Sequence, residues 1–150
     1  MFSQTTEYAL RAMACLALAP EELMPTSTVA ERTKVPANYL AKVLQQLAGG
    51  GLIKGRRGVG GGYMLARRAE DISLLEIINT VGDLHRIDSC PSGLPGHGNC
   101  LCPLHRAMDQ AAEMIMNLFG SVSLKNLVND PAVANRPLCV SVAAIAAITQ

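Results

Sequence analysis

The stretch VAERTKVPANYLAKVLQQLAGGGLIKGRRGVGGGYML, from Val29 to Leu65, decides the fold. Within it Leu40, Val43, Leu44 and Leu47 recur at i, i+3, i+4 and i+7, which puts four aliphatic side chains on one stripe of a helix and predicts that the stripe is buried. The opposite face carries Asn38, Tyr39, Lys42, Gln45 and Gln46, side chains able to donate to phosphates or to read base edges in a major groove. Pro36 suits the first helical position, where its missing N–H costs nothing, and the run Gly49, Gly50 and Gly51 ends the helix. Upstream, Thr26 or Ser27 can cap a shorter helix containing Val29 and Ala30, with Lys34 and Val35 as the turn between the two.

After the glycines, Leu52 and Ile53 open one strand, and Tyr63, Met64 and Leu65 open another. Between them Gly55, Gly58, Gly60, Gly61 and Gly62 let the backbone bend, and Arg56 and Arg57 are placed at the tip of this wing. A glycine-rich loop gripping a nucleotide phosphate is the competing reading. Against it, no Lys-Ser/Thr follows the glycines and no strand-then-helix frame surrounds them. From Arg32 to Ala69 the chain holds eight basic residues (Arg32, Lys34, Lys42, Lys54, Arg56, Arg57, Arg67, Arg68) and no Asp or Glu, although its formal net charge is only +1. Such segregation is the footprint of a face that meets nucleic-acid phosphates.

Working outward, 150 residues at 49% apolar composition suffice for one core-bearing domain with an added interaction element. Residues 1–6 lack the basic start of a signal peptide and the apolar stretches are too short to span a bilayer, so a soluble cytoplasmic protein is expected. Residues 6–18 predict an amphipathic helix with Ala9, Met13, Leu16 and Ala17 on its core stripe and Cys15 as a small buried filler. Glu7 and Arg11, four apart, predict a solvated ion pair worth about 0.3–0.5 kcal/mol. Ser73 and Glu76 have the offset of a capping box ahead of Ile77, Ile78 and Val81.

From Asp88 to Pro103 the composition turns to Pro, Gly, Ser, Asn, His and Cys, which cannot continue a helix and needs an organiser. Five cysteines is an odd count, and Cys90, Cys100 and Cys102 crowd together, which in a reducing compartment suggests metal or redox chemistry rather than a disulfide framework. Next, Leu104, Met108, Ala111, Ile115 and Leu118 step by four, three, four and three, a heptad seam that Ala112 and Phe119 extend. Either a homodimer contact or packing within one chain gives that periodicity. Ser123 then caps a short helix through Val128, which Pro131 ends. The tail after Pro137, with Leu138, Val140, Val142, Ile145 and Ile148, is apolar and should pack, while its Cys139 has no neighbour in sequence that would make it a ligand.

These segments together resemble the BadM/IscR-type family of winged-helix transcription regulators, over residues 8–130. The most specific matches are Pro36 to Leu52, the wing from Gly55 to Leu65 with its Gly61-Gly62-Tyr63, and the cysteine loop leading into Leu104. The resemblance implies a mainly α winged helix-turn-helix with a two-stranded wing and a long C-terminal dimerisation helix. It implies a homodimer on pseudo-palindromic promoter DNA, often with an iron–sulfur cluster in the loop before that helix, and neither a membrane nor a small-molecule substrate. The expected organisation is a DNA-binding domain at 1–85, a cluster loop at 86–103, a dimerisation helix and short following helix at 104–130, and an apolar tail at 131–150.

Cys90, Cys102 and His105 match the first cysteine, last cysteine and histidine of the family's cluster loop. The middle cysteine departs: Gly96 and His97 stand where the family usually has it, and Cys100 appears instead. Cys100 or His97 then completes the set, or the set is incomplete. With Cys100, four ligands from one chain suffice for a [2Fe-2S] centre; a [4Fe-4S] cluster using Glu7 from the partner subunit is the rival. Metal-free thiols that oxidise to a disulfide, or structural zinc on three thiolates and an imidazole, are the other readings of the same residues. An enzyme with a Cys/His nucleophile is disfavoured, because no third orienting residue can be traced. For DNA the expected contacts are Asn38, Tyr39, Lys42 and Gln46 on the helix, with Arg56, Arg57 and Tyr63 on the wing.

Overall fold

The computed structural model describes residues 2–96, 100–134 and 137–139. Helix α1 (Gln4–Ala17) starts two residues earlier than its apolar stripe suggests, because the Ser3 hydroxyl accepts the Thr6 N–H at 3.1 Å and so caps the first turn. Helix α2 (Thr26–Thr33) and helix α3 (Ala37–Gly49) follow. Neither Thr26 nor Ser27 caps α2: Pro25 stands at that position without a side-chain cap, and Thr26 is the first helical residue. Pro36 likewise sits one place before α3, where its carbonyl accepts the Leu40 N–H at 3.0 Å. The turn between the helices is tight because Lys34 takes the left-handed conformation, φ 57°.

The α3 stripe is buried as its spacing predicts, with Leu40, Leu44 and Leu47 fully enclosed against Ala9, Met13 and Leu16 of α1 in one core. At the end of α3, Gly51 adopts φ +72° and lets the Leu52 N–H reach back to the Leu47 carbonyl at 3.1 Å. Strands β1 (Ile53–Arg56) and β2 (Gly62–Leu65) then pair antiparallel, Ile53 opposite Leu65 and Arg56 opposite Gly62. Tyr63 also exchanges two backbone hydrogen bonds with Met24, each 2.9 Å, so the wing is tied to the segment entering α2.

Helix α4 (Leu74–Val81) is capped by Ser73, which accepts the Glu76 N–H at 3.2 Å. The Glu76 carboxylate does not return to the cap; it pairs with Arg67, so only half of the expected capping box forms. The long helix α5 (Pro103–Ser121) and the short α6 (Leu124–Val128) complete the regular elements, and α6 carries a full capping box between Ser123 and Asn126. Two backbone hydrogen bonds, Leu74 N to Val122 O at 3.0 Å and Leu124 N to Ile72 O at 2.8 Å, fasten the end of α5 beside the start of α4. None of the helices among the described residues is long and apolar enough to cross a membrane.

Three heptad residues of α5 are not consumed by the chain's own core, whereas Phe119 packs against that core and against Phe2. Leu104 is 64% exposed, Met108 50% and Leu118 61%, and the sole buried residue of this helix is Asp109. Cys139 is buried in the same core cluster as Cys15 of α1, a neighbour distant in sequence. The rest of the tail, including Val140, Val142, Ile145 and Ile148, lies outside the described residues, as does His97.

Candidate nucleic-acid interface and metal centre

Because the aliphatic stripe of α3 is turned inward, Asn38, Tyr39, Lys42, Gln45 and Gln46 are left on its exposed side. Tyr39, Lys42 and Gln46 line a recess of about 270 Å³ that also borders Gln4, Thr5 and Tyr8 of α1. On the wing, Arg56 closes β1 and donates to the Gly60 carbonyl at 3.1 Å, and Arg57 begins the turn. The apex is Val59, fully exposed, rather than the arginine pair. Tyr63 has its ring against Gly55 directly across the strand pair, where a Cβ would come within 2.9 Å of it, so this tyrosine covers a glycine as well as facing the cleft.

Gly61 and Gly62 are needed for close approach. A Cβ on Gly62 would stand 2.4 Å from the Met24 carbonyl carbon, and one on Gly61 would stand 2.2 Å from the Arg56 carbonyl oxygen. The resulting cleft, about 460 Å³, is lined by Thr26 at the start of α2 and by Arg56, Arg57 and the wing glycines. Sequence spacing does not place Thr26 on this surface; the preceding Pro25, which takes the cap position itself, is the available signal.

Not all eight basic residues of the segregated stretch are available to a ligand. Arg67 pairs with Glu76 and Arg68 with Glu70, whose other oxygen takes Lys125 at 2.6 Å. The hydrogen bond from Lys125 first, and then the charge of Arg68, hold the Glu70 carboxyl below the usual carboxylate range. Arg32 turns toward the interior, 3.8 Å from the Met24 sulfur. Among the described residues Lys34, Lys42, Lys54 and Arg57 are exposed and form no ion pair.

A second cluster forms at the start of α5. Cys102 is the residue that precedes its first turn, Pro103 occupies the first position, and His105 follows one turn on. Cys90 Sγ and Cys102 Sγ lie 3.4 and 3.2 Å from Nδ1 of His105, and one donor atom from each of the three residues falls within 4.8 Å of the others. Cys90 Sγ also lies 3.1 Å from the Ser92 hydroxyl. Two sulfurs and an imidazole nitrogen are the soft donor set that suits iron or zinc, and the free N–H groups at the start of α5 favour a net negative centre there. Cys100 is exposed and outside this group of three. Glu7 lies on α1, engaged by Arg11 of its own helix.

The approach to the cluster is held by Asp109. Its carboxylate accepts Arg86 Nε at 2.6 Å, Arg86 Nη2 at 2.5 Å and the Ile87 N–H at 2.9 Å, and Glu113 takes the remaining Arg86 nitrogen at 2.8 Å. The Arg86 hydrogen bonds, then the Ile87 N–H, pull the Asp109 carboxyl down to about 2. The chain leaving α4 is thereby pinned to the second turn of α5, a pairing that no sequence spacing announces.

Known proteins agree with this architecture. Residues 2–130 match the model of the Rrf2 family, described as iron-dependent transcriptional regulator. The HTH-type transcriptional regulator IscR of Xenorhabdus nematophila is 32% identical over 124 residues, 82% of this chain and 76% of that protein. Its counterpart in Photorhabdus laumondii is 31% identical over the same shares. Among solved structures, T. potens IscR superposes with a TM-score of 0.73 at 25% identity, covering 89% of this chain and 90% of the other. CymR, the global cysteine regulator of B. subtilis, does so at 0.70 with 22% identity, covering 85% and 95%, which speaks for the fold alone. The chain is a DNA-binding transcriptional regulator and not an enzyme. With a wing, an exposed α3 face and a family match that runs nearly the length of its described elements, it belongs to the Rrf2 family of winged helix-turn-helix regulators.

Proposed function

We propose that the protein acts as a homodimer on pseudo-palindromic promoter DNA, and that an iron–sulfur centre of [2Fe-2S] type sets its affinity for that DNA. Cys90, Cys102 and His105 would hold the centre, with Cys100 as fourth ligand. The observation that carries this reading is the convergence of three donor atoms within 4.8 Å at the first turn of α5. An iron–sulfur centre supplies a site whose charge and ligation respond to electrons, oxygen, nitric oxide or iron supply. The occupation of Glu7 by Arg11 favours a ligand set from one chain over one that borrows Glu7 from the partner subunit.

In this reading residues 1–85 bind DNA, 86–103 form the cluster loop, 104–130 make the dimer, and 131–150 form the tail. Asn38, Tyr39, Lys42 and Gln46 enter the major groove, while Arg56, Arg57 and Tyr63 meet the backbone or minor groove. The exposed Leu104, Met108 and Leu118 form the apolar stripe that a second copy would cover. Cys102 immediately precedes the first turn of the helix that bears that stripe, and Asp109 ties the same helix to the chain arriving from α4. How the thiols are held therefore bears on how two recognition helices are spaced. A coupling of about 1–3 kcal/mol would change operator affinity roughly 5- to 150-fold.

Anaerobic purification, visible absorption with iron and sulfide analysis, and titration of loaded and iron-free protein against one promoter fragment at one salt concentration test this. Equal affinity of the two forms sinks the proposed control. Bound zinc without sulfide would reassign the three donors to a single tetrahedral ion, and a colourless, metal-free protein that loses DNA on thiol oxidation would reassign them to a disulfide switch.

A further inference from the structure

Cys15 and Cys139 are the two cysteines that the cluster loop does not use, and they meet. Cys15 is fully enclosed and Cys139 is 7% exposed. Both belong to one core cluster, and each lies close enough to set the other's proton affinity, as Arg32 does for Cys139. Cys15 Sγ also lies 3.7 Å from Met24 Sδ, and Arg32 Nη1 lies 3.8 Å from that same thioether. A pair of buried fillers needs no guanidinium at its edge. Here, moreover, a cleft of about 350 Å³ opens onto Cys139, with Arg11, Arg32 and Lys34 on its walls and no carboxylate among its described lining residues.

We propose that Cys15 and Cys139 form a second thiol site, separate from the cluster loop, at which a hydroperoxide oxidises the pair to a disulfide that ties the tail to α1. Cys139, onto which the cleft opens, attacks, and the fully enclosed Cys15 resolves. The neighbouring Cys15 thiol and then the charge of Arg32 hold the Cys139 thiol below its ordinary value. In the first step the Cys139 thiolate attacks the terminal peroxide oxygen, the O–O bond breaks, sulfur gives up two electrons and becomes a sulfenic acid, and the departing alkoxide takes a proton to leave as the alcohol, or as water from hydrogen peroxide. In the second step Cys15 sulfur attacks Cys139 sulfur, the S–S bond forms, the S–O bond breaks, and hydroxide leaves with the Cys15 proton as water. The basic walls of the cleft suit the oxyanion that develops in the first step.

The site is independent of cluster loading, so its test reads the thiols themselves. Full-length protein, kept anaerobic, is treated with one equivalent of hydrogen peroxide, quenched with N-ethylmaleimide and mapped by mass spectrometry of tryptic peptides. The expected product is a peptide pair joined through Cys15 and Cys139, formed roughly tenfold more slowly in Arg32→Gln when both are assayed at about pH 5, since below the thiol's own pKa each unit regained cuts the thiolate fraction about tenfold. In Cys15→Ala the reaction should stop at a Cys139 sulfenic acid that dimedone labels. Joining of Cys139 to a cluster-loop cysteine, oxidation of Cys139 to sulfinic acid without a cross-link in the unsubstituted protein, or a rate unchanged by Arg32→Gln would each overturn the proposal.

Discussion

Helix α3 and the cysteine loop before α5 are held in place by different forces. Beneath α3, Leu40, Leu44 and Leu47 are fully enclosed and the wing is laced to residue 24 by paired backbone hydrogen bonds. Among the described residues of 84–109 the side-chain interactions include a carboxylate on a guanidinium, a thiol near a hydroxyl and two thiols near one imidazole. Apolar burial cannot be adjusted by small increments, whereas polar interactions around a ligand site can form or break singly. If the loop does bind a ligand, as proposed, polar attachments of this kind let that ligand shift populations without unfolding the part that reads.

The largest expected effect tests the rigid half. Leu44→Ala removes a fully enclosed side chain from the centre of the α3 stripe and should cost about 2–5 kcal/mol in denaturant unfolding. Leu94→Ala, in the loop and 57% exposed, should stay within about 0.5 kcal/mol of the unsubstituted protein. A comparable loss from both would erase the contrast between the two regions. Gly62→Ala comes next, at about 1–3 kcal/mol, because the added methyl meets backbone atoms of Met24 and Pro25 that cannot rotate aside. It should weaken DNA binding while leaving the metal content of the purified protein unchanged; a loss of iron would mean that the wing and the loop are not separately held.

The polar half should declare itself through pH. Asp109 titrates near 2 in the folded chain against an ordinary 3.8, so its contribution is complete above about pH 4 and disappears as the pH falls through the interval down to 2. The stability difference between the unsubstituted protein and Asp109→Asn should therefore shrink across that interval in acid unfolding. A difference that stays constant from neutral pH to pH 2 would show that the carboxylate charge is not what holds Arg86 and Ile87.

Most of this contrast is written in the sequence, but unevenly. The α3 stripe, the glycine-marked end of α3 and the wing strands follow from periodicity and from glycine, which act over a few residues and are read locally. The starts of α1, α2 and α3, by contrast, fall a residue or two from where the sequence puts them. The proximity of Cys90 and Cys102 to His105 is legible through spacing and family resemblance, because a loop and the first turn of a helix are neighbours in the chain. What cannot be read are pairings across long separations. Asp109 with Arg86, Cys15 with Cys139, and Tyr63 with Met24 depend on how elements pack, and nothing local marks either partner. The count of eight basic residues misleads for the same reason: Glu70 and Glu76 lie just beyond the segregated stretch, yet fold back onto Arg68 and Arg67.

That correction yields the smallest and most discriminating prediction. Removing one phosphate-binding cation should flatten the dependence of log K on log salt by about 0.9. Arg57, exposed on the wing and without an ion pair among the described residues, should show this in Arg57→Ala, with affinity falling across unrelated DNA sequences alike. Arg67→Ala, which removes a side chain already committed to Glu76, should leave the slope where it was. Equal flattening by the two substitutions would mean that the Glu76 pair opens when DNA arrives, and that the phosphate footprint is as broad as the raw charge pattern rather than limited to the cations the fold leaves unpaired.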